Sequence, residues 1–498
     1  MNYVQAATAV SLALWLPYSA LAQAGYPQDA LCVTGSDTLC STMPADLVGL
    51  TAPMGYTPTT NIDDETGNPF NPQQPNFDHF GWQMFMALNW PADKVADAPG
   101  QITNPKFAEA PRVWESWPTV EDVFGGGASE CPSNGRLTLQ RTAKFHSSAF
   151  IEPFTSSPLI DVEGNFVMYD IRLNPREVAY LTDNGLVTKA GQEAFKAANP
   201  DGWDLPRGEV KGGDLLNKSI PGAMELKTAW RILPEGGSDS YYTLPGLVEI
   251  PAKHSATGKT LCLDVTLGMV GMHIMQKIST PGNFSDFWIW ATFEHSRNAP
   301  LADGGPISQK DTASNQQNEP PYGPVESCPV PDGAGDDWAF FNPACTTADG
   351  AACAPNEELK YSGDLLWEAE PPYAKRYLTS GKFGTQVTRC WQVYESANRV
   401  SARFHKALEG TVWANYDLIG VQWANGGLDH PDPLRPFPAP IYLVNTTLET
   451  YLQTDPVLGK DGAPSKGAPG SCIMCHDNAT DLSGNKSDFS FLGFYASE

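Results

Sequence analysis

Apolar residues recur along this chain with two periods. Phe77, Phe80, Met84 and Leu88 stand three or four apart, which predicts a helix over 77–89 that Pro91 ends. Shorter helical patterns cover 174–181, with Pro175 in the first turn, then 188–198, 396–408 and 446–452. Strand-like runs cover 112–117, 165–173, 224–233, 241–250, 260–278 and 286–295. In 260–278 the odd positions Leu261, Leu263, Val265, Leu267 and Met269 form one apolar face. Carried through Gly268 and Gly271, the same period puts His273 and Met275 on that inward face. In 286–295, Trp288 and Trp290 fall on one side, and Phe287, Ile289, Phe293 and His295 on the other.

Between these elements lie stretches rich in turn-forming residues. Residues 25–75 read as an extended segment rich in Pro, Thr, Asn and Asp, 301–361 as a loop insertion, and 454–470 as a Pro/Gly/Lys linker. No repeat period is present. Strands and helices mix without regular alternation, so the expected fold class is α+β. A loop-rich main body spans 76–453, followed by a C-terminal segment, 454–498. Composition agrees. The 498 residues include 45 Gly and 43 Pro, yet also 14 Trp, 17 Tyr and 22 Phe, enough large apolar side chains for a substantial core.

Charge narrows the function classes. There are 57 acidic against 32 basic residues, a net charge of −25. A nucleic-acid binder needs a basic surface that releases counterions, so no nucleic-acid partner is expected. Anionic membrane surfaces are disfavoured for the same reason.

The leader and the cysteines set the expected compartment. Residues 1–24 carry no charged side chain, hold an apolar run at 6–16 broken by Pro17, and end in the small-x-small triplets Ala20-Leu21-Ala22 and Ala22-Gln23-Ala24. This is the pattern of a signal peptide, although its usual Lys or Arg is missing. No other apolar run is long enough to span a bilayer, so a periplasmic or secreted protein without a membrane span is expected. The ten cysteines suit an oxidising compartment. Eight of them, Cys32, Cys40, Cys131, Cys262, Cys328, Cys345, Cys353 and Cys390, allow 105 pairings, among which Cys32–Cys40 and Cys345–Cys353 are local candidates.

The other two carry the chemistry. Residues 471–476 read Ser-Cys-Ile-Met-Cys-His and contain Cys-x-x-Cys-His, the attachment signature of c-type haem. Two cysteines three apart on a helical turn reach the two vinyl groups of one porphyrin, and the adjacent histidine lies beneath the iron. A redox dithiol would need a thioredoxin-like βαβ pattern, and a structural metal site would need a second Cys or His pair nearby. The sequence shows neither.

At these residues the chain resembles the c-type cytochromes. The segments 77–91, 270–300 and 445–476 also look like stretches of large secreted bacterial proteins known only as "cytochrome c family", a resemblance that implies no particular reaction. It implies one covalent haem c, with Cys472 and Cys475 as thioether anchors and His476 as proximal iron ligand. The chain departs from small cytochromes c, which carry the motif near their start and an axial Met well downstream. Here 22 residues follow His476, without His or Met. The sixth iron position must be filled from upstream, by Lys486 or Tyr495 of the tail, by water, or by nothing. A 28-residue end is too short to bury a porphyrin alone, so the segment must pack on the larger body.

A distal ligand should be buried and held on a rigid element. From its strand phase His273 is the first candidate and Met275 the second, followed by His295 and His79, although a histidine on an apolar face is more often hydrogen-bonded core. His146, His254, His405 and His430 have weaker contexts. Trp114, Trp117, Trp288, Trp290, Trp413 and Trp423 are candidates for a haem edge or for core, and core is the default. Three functions follow: electron transfer to a redox partner protein, a haem-dependent oxidoreductase with a displaceable distal group and a small-molecule substrate, or a binding or assembly protein with a structural haem.

Overall fold

The computed structural model describes residues 39, 41, 43–44, 74–92, 111–126, 129–132, 137–140, 157–210, 219–278, 288–302, 328–391, 393–425, 437–440, 442–453 and 470–497. The signal segment, most of 25–75, part of the 301–361 loop and nearly all of the linker lie outside them, as do Cys32, Cys40, His146 and His430.

Among the described residues the α-helices are α1 (Gln74–Leu88), α2 (Val120–Phe124), α3 (Pro175–Asp183), α4 (Lys189–Ala198), α5 (Glu395–Ala407) and α6 (Cys472–His476). The strands are β1 (Leu137–Gln140), β2 (Met168–Leu173), β3 (Glu209–Val210), β4 (Ser219–Ile220), β5 (Met224–Leu233), β6 (Thr243–Ile250), β7 (Leu261–Lys277), β8 (Trp288–His295), β9 (Tyr416–Asn425) and β10 (Phe437–Ala439). The protein is therefore α+β. Local chemistry explains several helix starts: the Asn174 side chain accepts from the Glu177 amide, with Pro175 in the first turn, and Thr188 accepts from Gly191.

Eight strands form one sheet in which all pairs are antiparallel except β1 with β6. The 17-residue β7 is its hub. β5 pairs along one side of it, while β6 takes the first half and β8 the second half of the other. β9 and β10 extend the sheet beyond β8. One face is covered by α1 and α5, which pack on β9 and on each other. The main core lies there, with Phe77, Trp82, Phe85, Met272, Ile274, Ile289, Phe293 and Val421 fully buried. Each such side chain contributes about 1.5–3 kcal/mol relative to exposure. Contact is close enough that a Cβ on Gly81 would sit 2.5 Å from Val421 Cγ2.

The expected phase of β7 holds only halfway. Leu263, Leu267 and Met269 do enter the main core. The pairing with β5 then shifts at Ala229/Trp230, leaving Val270 as an extra residue. Such a bulge reverses which face each following residue occupies. Met272 and Ile274 take over the core positions. His273 and Met275 share a face, as expected, but it is the opposite face of the sheet.

Residues 112–117, expected as a strand, form the short 3-10 turn Val113–Ser116 instead. Glu115 Oε1 accepts the Arg112 amide at 2.7 Å, a local bond that closes the turn. The described part of the 301–361 loop holds no helix or strand. Three disulfides tie the irregular parts down: Cys131–Cys262, Cys328–Cys390 and Cys345–Cys353, the last as the short spacing predicts. They fit an extracytoplasmic protein. No helix among the described residues is long and apolar enough to cross a membrane.

Candidate functional site

The second face of the sheet carries two rows of side chains across successive strands. One row is Glu225, Met275, Trp290 and Gln422; the next is Lys227, His273, Thr292 and Gly420. Residues facing each other in register share a face, so each row is a line of neighbours. The motif helix α6 is laid over the first of these rows.

Gln422 receives the motif helix. Its Oε1 accepts from the Ile473 amide at 2.9 Å and from Ser471 Oγ at 3.2 Å, while its Nε2 donates to the Pro440 carbonyl at 2.7 Å. Ser471 is the N-cap of α6 and accepts from the Met474 amide. Ile473 and Met474 point into the body and are fully buried with Met275, Trp288, Trp290 and Tyr442. The intervening positions Cys472, Cys475 and His476 are half-buried. The tail after them is stitched to α4 and to the chain on either side of it. Ser497 donates its amide to Val187, Gln192 Nε2 donates to the Gly493 carbonyl at 2.8 Å, and Trp203 Nε1 donates to Asp481 at 3.0 Å. The motif thus sits on the body and is no free-standing domain.

His476 is oriented by its own tail: Nδ1 lies 2.6 Å from the Phe489 carbonyl. A carbonyl only accepts, so Nδ1 carries the proton and Nε2 keeps its lone pair. Burial pushes the imidazole down to about 4, which keeps it neutral at ordinary pH. Phe491 meets the ring edge-on at 5.0 Å and Trp290 lies 6.1 Å away. Trp290 is buried, and its Nε1 proton has no acceptor among the described residues.

The two motif cysteines are unbonded, although the other described cysteines are paired. Burial, reinforced by the Glu449 charge, raises both thiols: Cys475 to about 12, and Cys472 well above its ordinary value. A reactive redox dithiol needs the opposite, a lowered thiol. Nor is any group of three or more His, Cys, Asp and Glu among the described residues arranged to hold a metal ion.

His273 approaches the same place from the second row. Its Nε2 lies 2.7 Å from Glu449 Oε1, and Glu449 Oε2 accepts the Asn445 amide at 2.9 Å. Burial works against the Glu449 carboxylate, but the charge and hydrogen bond of His273 hold it below its ordinary value. The loop bearing Glu449 is seated on β8. Asn445 Nδ2 donates to Thr292 Oγ1 at 2.8 Å, and the Thr446 amide donates to Glu294 at 2.8 Å. Gly271 permits this approach, since a Cβ there would stand 2.4 Å from Thr447 Oγ1.

Of the sequence candidates, the structure therefore gathers Cys472, Cys475, His476, His273 and Met275 on one sheet face. His79 belongs to α1 on the other face, against Phe404. His295 stacks on Tyr241 at 4.0 Å and bonds the Ser240 carbonyl, a core role, and burial pushes it down to about 4. Trp288 and Trp290 accompany the motif, whereas Trp114, Trp117, Trp413 and Trp423 lie in the main core. Tyr495 packs near Phe124 and Lys486 is exposed. Gln422, Glu449 and the Phe489 carbonyl had no local signal in the sequence. Each works on a residue far along the chain or through its backbone alone.

Comparison of the chain with protein-family models, with curated proteins and with solved structures gives no match. The residues themselves fit a c-type haem. The set offers two unbonded sulfurs one turn apart, a neutral imidazole with a free Nε2, aromatic walls, and a buried indole N–H lacking an acceptor.

Proposed function

We propose that this chain is an exported c-type monohaem protein with a redox role, periplasmic or secreted, passing electrons through one haem c. Cys472 and Cys475 would hold the group by thioethers and His476 Nε2 would bind its iron. When bound, the haem supplies a one-electron iron couple. The observation that carries this reading is the bond from His476 Nδ1 to the Phe489 carbonyl, which leaves the ligating nitrogen bare and the ring fixed. The body supplies a buried apolar floor of Met275, Ile473 and Met474 that lowers the local dielectric. The partner is a redox protein or a small-molecule substrate.

The His273–Glu449 pair favours a second reading, a haem-dependent oxidoreductase. A histidine bonded to a carboxylate can hold or move a proton at its ring nitrogen, the role a distal group would need if haem were bound. Absorption spectra of the mature protein separate the two, taken oxidised and reduced, with and without carbon monoxide. Electron transfer predicts low-spin iron that ignores carbon monoxide and changes its spectrum in His273→Leu. High-spin iron that binds carbon monoxide rapidly would replace it with the oxidoreductase reading. If His273→Leu leaves the spectrum unchanged, His273 is not an axial ligand, and Met275→Leu is the next variant to measure.

A further inference from the structure

Two successive residues after the motif, Asp488 and Phe489, have φ values of 55° and 66°. Neither is glycine, and a bulky residue enters the left-handed region only where its surroundings over-determine it. The surroundings here are specific. Asp488 Oδ2 accepts from the Leu205 amide at 2.7 Å and from Lys277 Nζ, and Oδ1 accepts from Trp288 Nε1 at 3.2 Å. The Lys277 and Asp488 side chains are 0% and 3% exposed. Lys277 and Trp288 face each other across β7 and β8, so both donors stand on the rigid sheet. The product of this turn is the orientation of the Phe489 carbonyl, the group that accepts the hydrogen bond from His476 Nδ1 at 2.6 Å.

We propose that Asp488 is a positioning residue for His476. Pinned by Lys277, Trp288 and the Leu205 amide, it holds the 488–489 backbone left-handed, so that the Phe489 carbonyl selects which ring nitrogen carries the proton. The consequence for iron rests on the haem reading; the consequence for the ring does not. A histidine that donates to a carbonyl is a more basic ligand and favours oxidised iron.

The test uses the full mature chain and two variants. Asp488→Asn keeps the shape and tolerates the left-handed region but removes the charge facing Lys277. Asp488→Asn with Lys277→Met also removes the buried cation, and keeps the question open to measurement if the single variant fails to fold. Nitrogen-15 NMR of the histidine ring in haem-free protein should show His476 protonated at Nδ1 in the wild type. A tautomer mixture is expected in the variants. In haem-loaded protein the variants should favour reduced iron about tenfold, a rise of ~59 mV for a one-electron couple. A wild-type ring protonated at Nε2 overturns the proposal. So do folded variants with the wild-type tautomer and potential, since a merely structural Asp488 would change only the melting temperature. A wild-type protein that never acquires haem defeats the haem reading instead, and the tautomer result then decides the proposal alone.

Discussion

Gln422 on β9 accepts from the start of the motif helix, at the Ile473 amide and at Ser471 Oγ. Gln422→Leu leaves the buried Ile473 amide without its acceptor, a loss of about 1–3 kcal/mol. Amide exchange at Ile473 should accelerate accordingly, and an unchanged exchange rate would show that the helix is held by other means. Gly271→Val is a companion case on β7. The new side chain meets Thr447, so the loop bearing Glu449 must move and the His273–Glu449 bond should weaken, at a cost of roughly 1–3 kcal/mol in urea unfolding. Equal unfolding midpoints for variant and wild type would contradict that close approach. At this scale the sequence is legible where covalent chemistry dictates spacing, as in Cys472, Cys475 and His476. Gln422 and Glu449 are invisible in it, because their roles arise from tertiary contact, and a carbonyl such as that of Phe489 leaves no mark in the residue type.

Among the elements, α1 is fixed to its neighbours by one buried acid. Asp78 accepts from Ser396 on α5 at 2.5 Å and from Gln74 at 3.1 Å, yet burial pushes its carboxyl up to about 7. Its folded value lies above the unfolded one. The stability it contributes is complete below about pH 4 and is lost as pH rises to 7. Asp78→Asn should therefore gain on the wild type by on the order of 2–4 kcal/mol between pH 4 and 8, measured by denaturant unfolding. Parallel curves would mean that the Asp78 carboxyl titrates alike in the folded and the unfolded chain. Periodicity read α1, β5, β6, β7 and β8 because each has a long, regular apolar face. It missed β9, whose pattern is interrupted by Gly420 and Gln422. It also misplaced the outer half of β7, because the extra Val270 is set by pairing with β5 and not by β7 itself.

The whole molecule is a loop-rich sheet protein closed by long-range ties. Cys131–Cys262 spans 131 residues and joins the stretch before β1 to the start of β7. Cys131→Ser with Cys262→Ser should lower stability by about 2–5 kcal/mol, read as a reduced melting temperature. An unshifted transition would place that bond outside the cooperative unit. On this body residues 470–497 are one more layer, with the motif helix seated on the sheet face opposite α1 and α5. In the proposed function this layer carries iron. Mass spectrometry of the peptide around residues 471–476, taken from protein exported by a host that attaches haem, checks that. One porphyrin bound through both Cys472 and Cys475 is expected. The same peptide with two free thiols, or with the two sulfurs joined to each other, would contradict it.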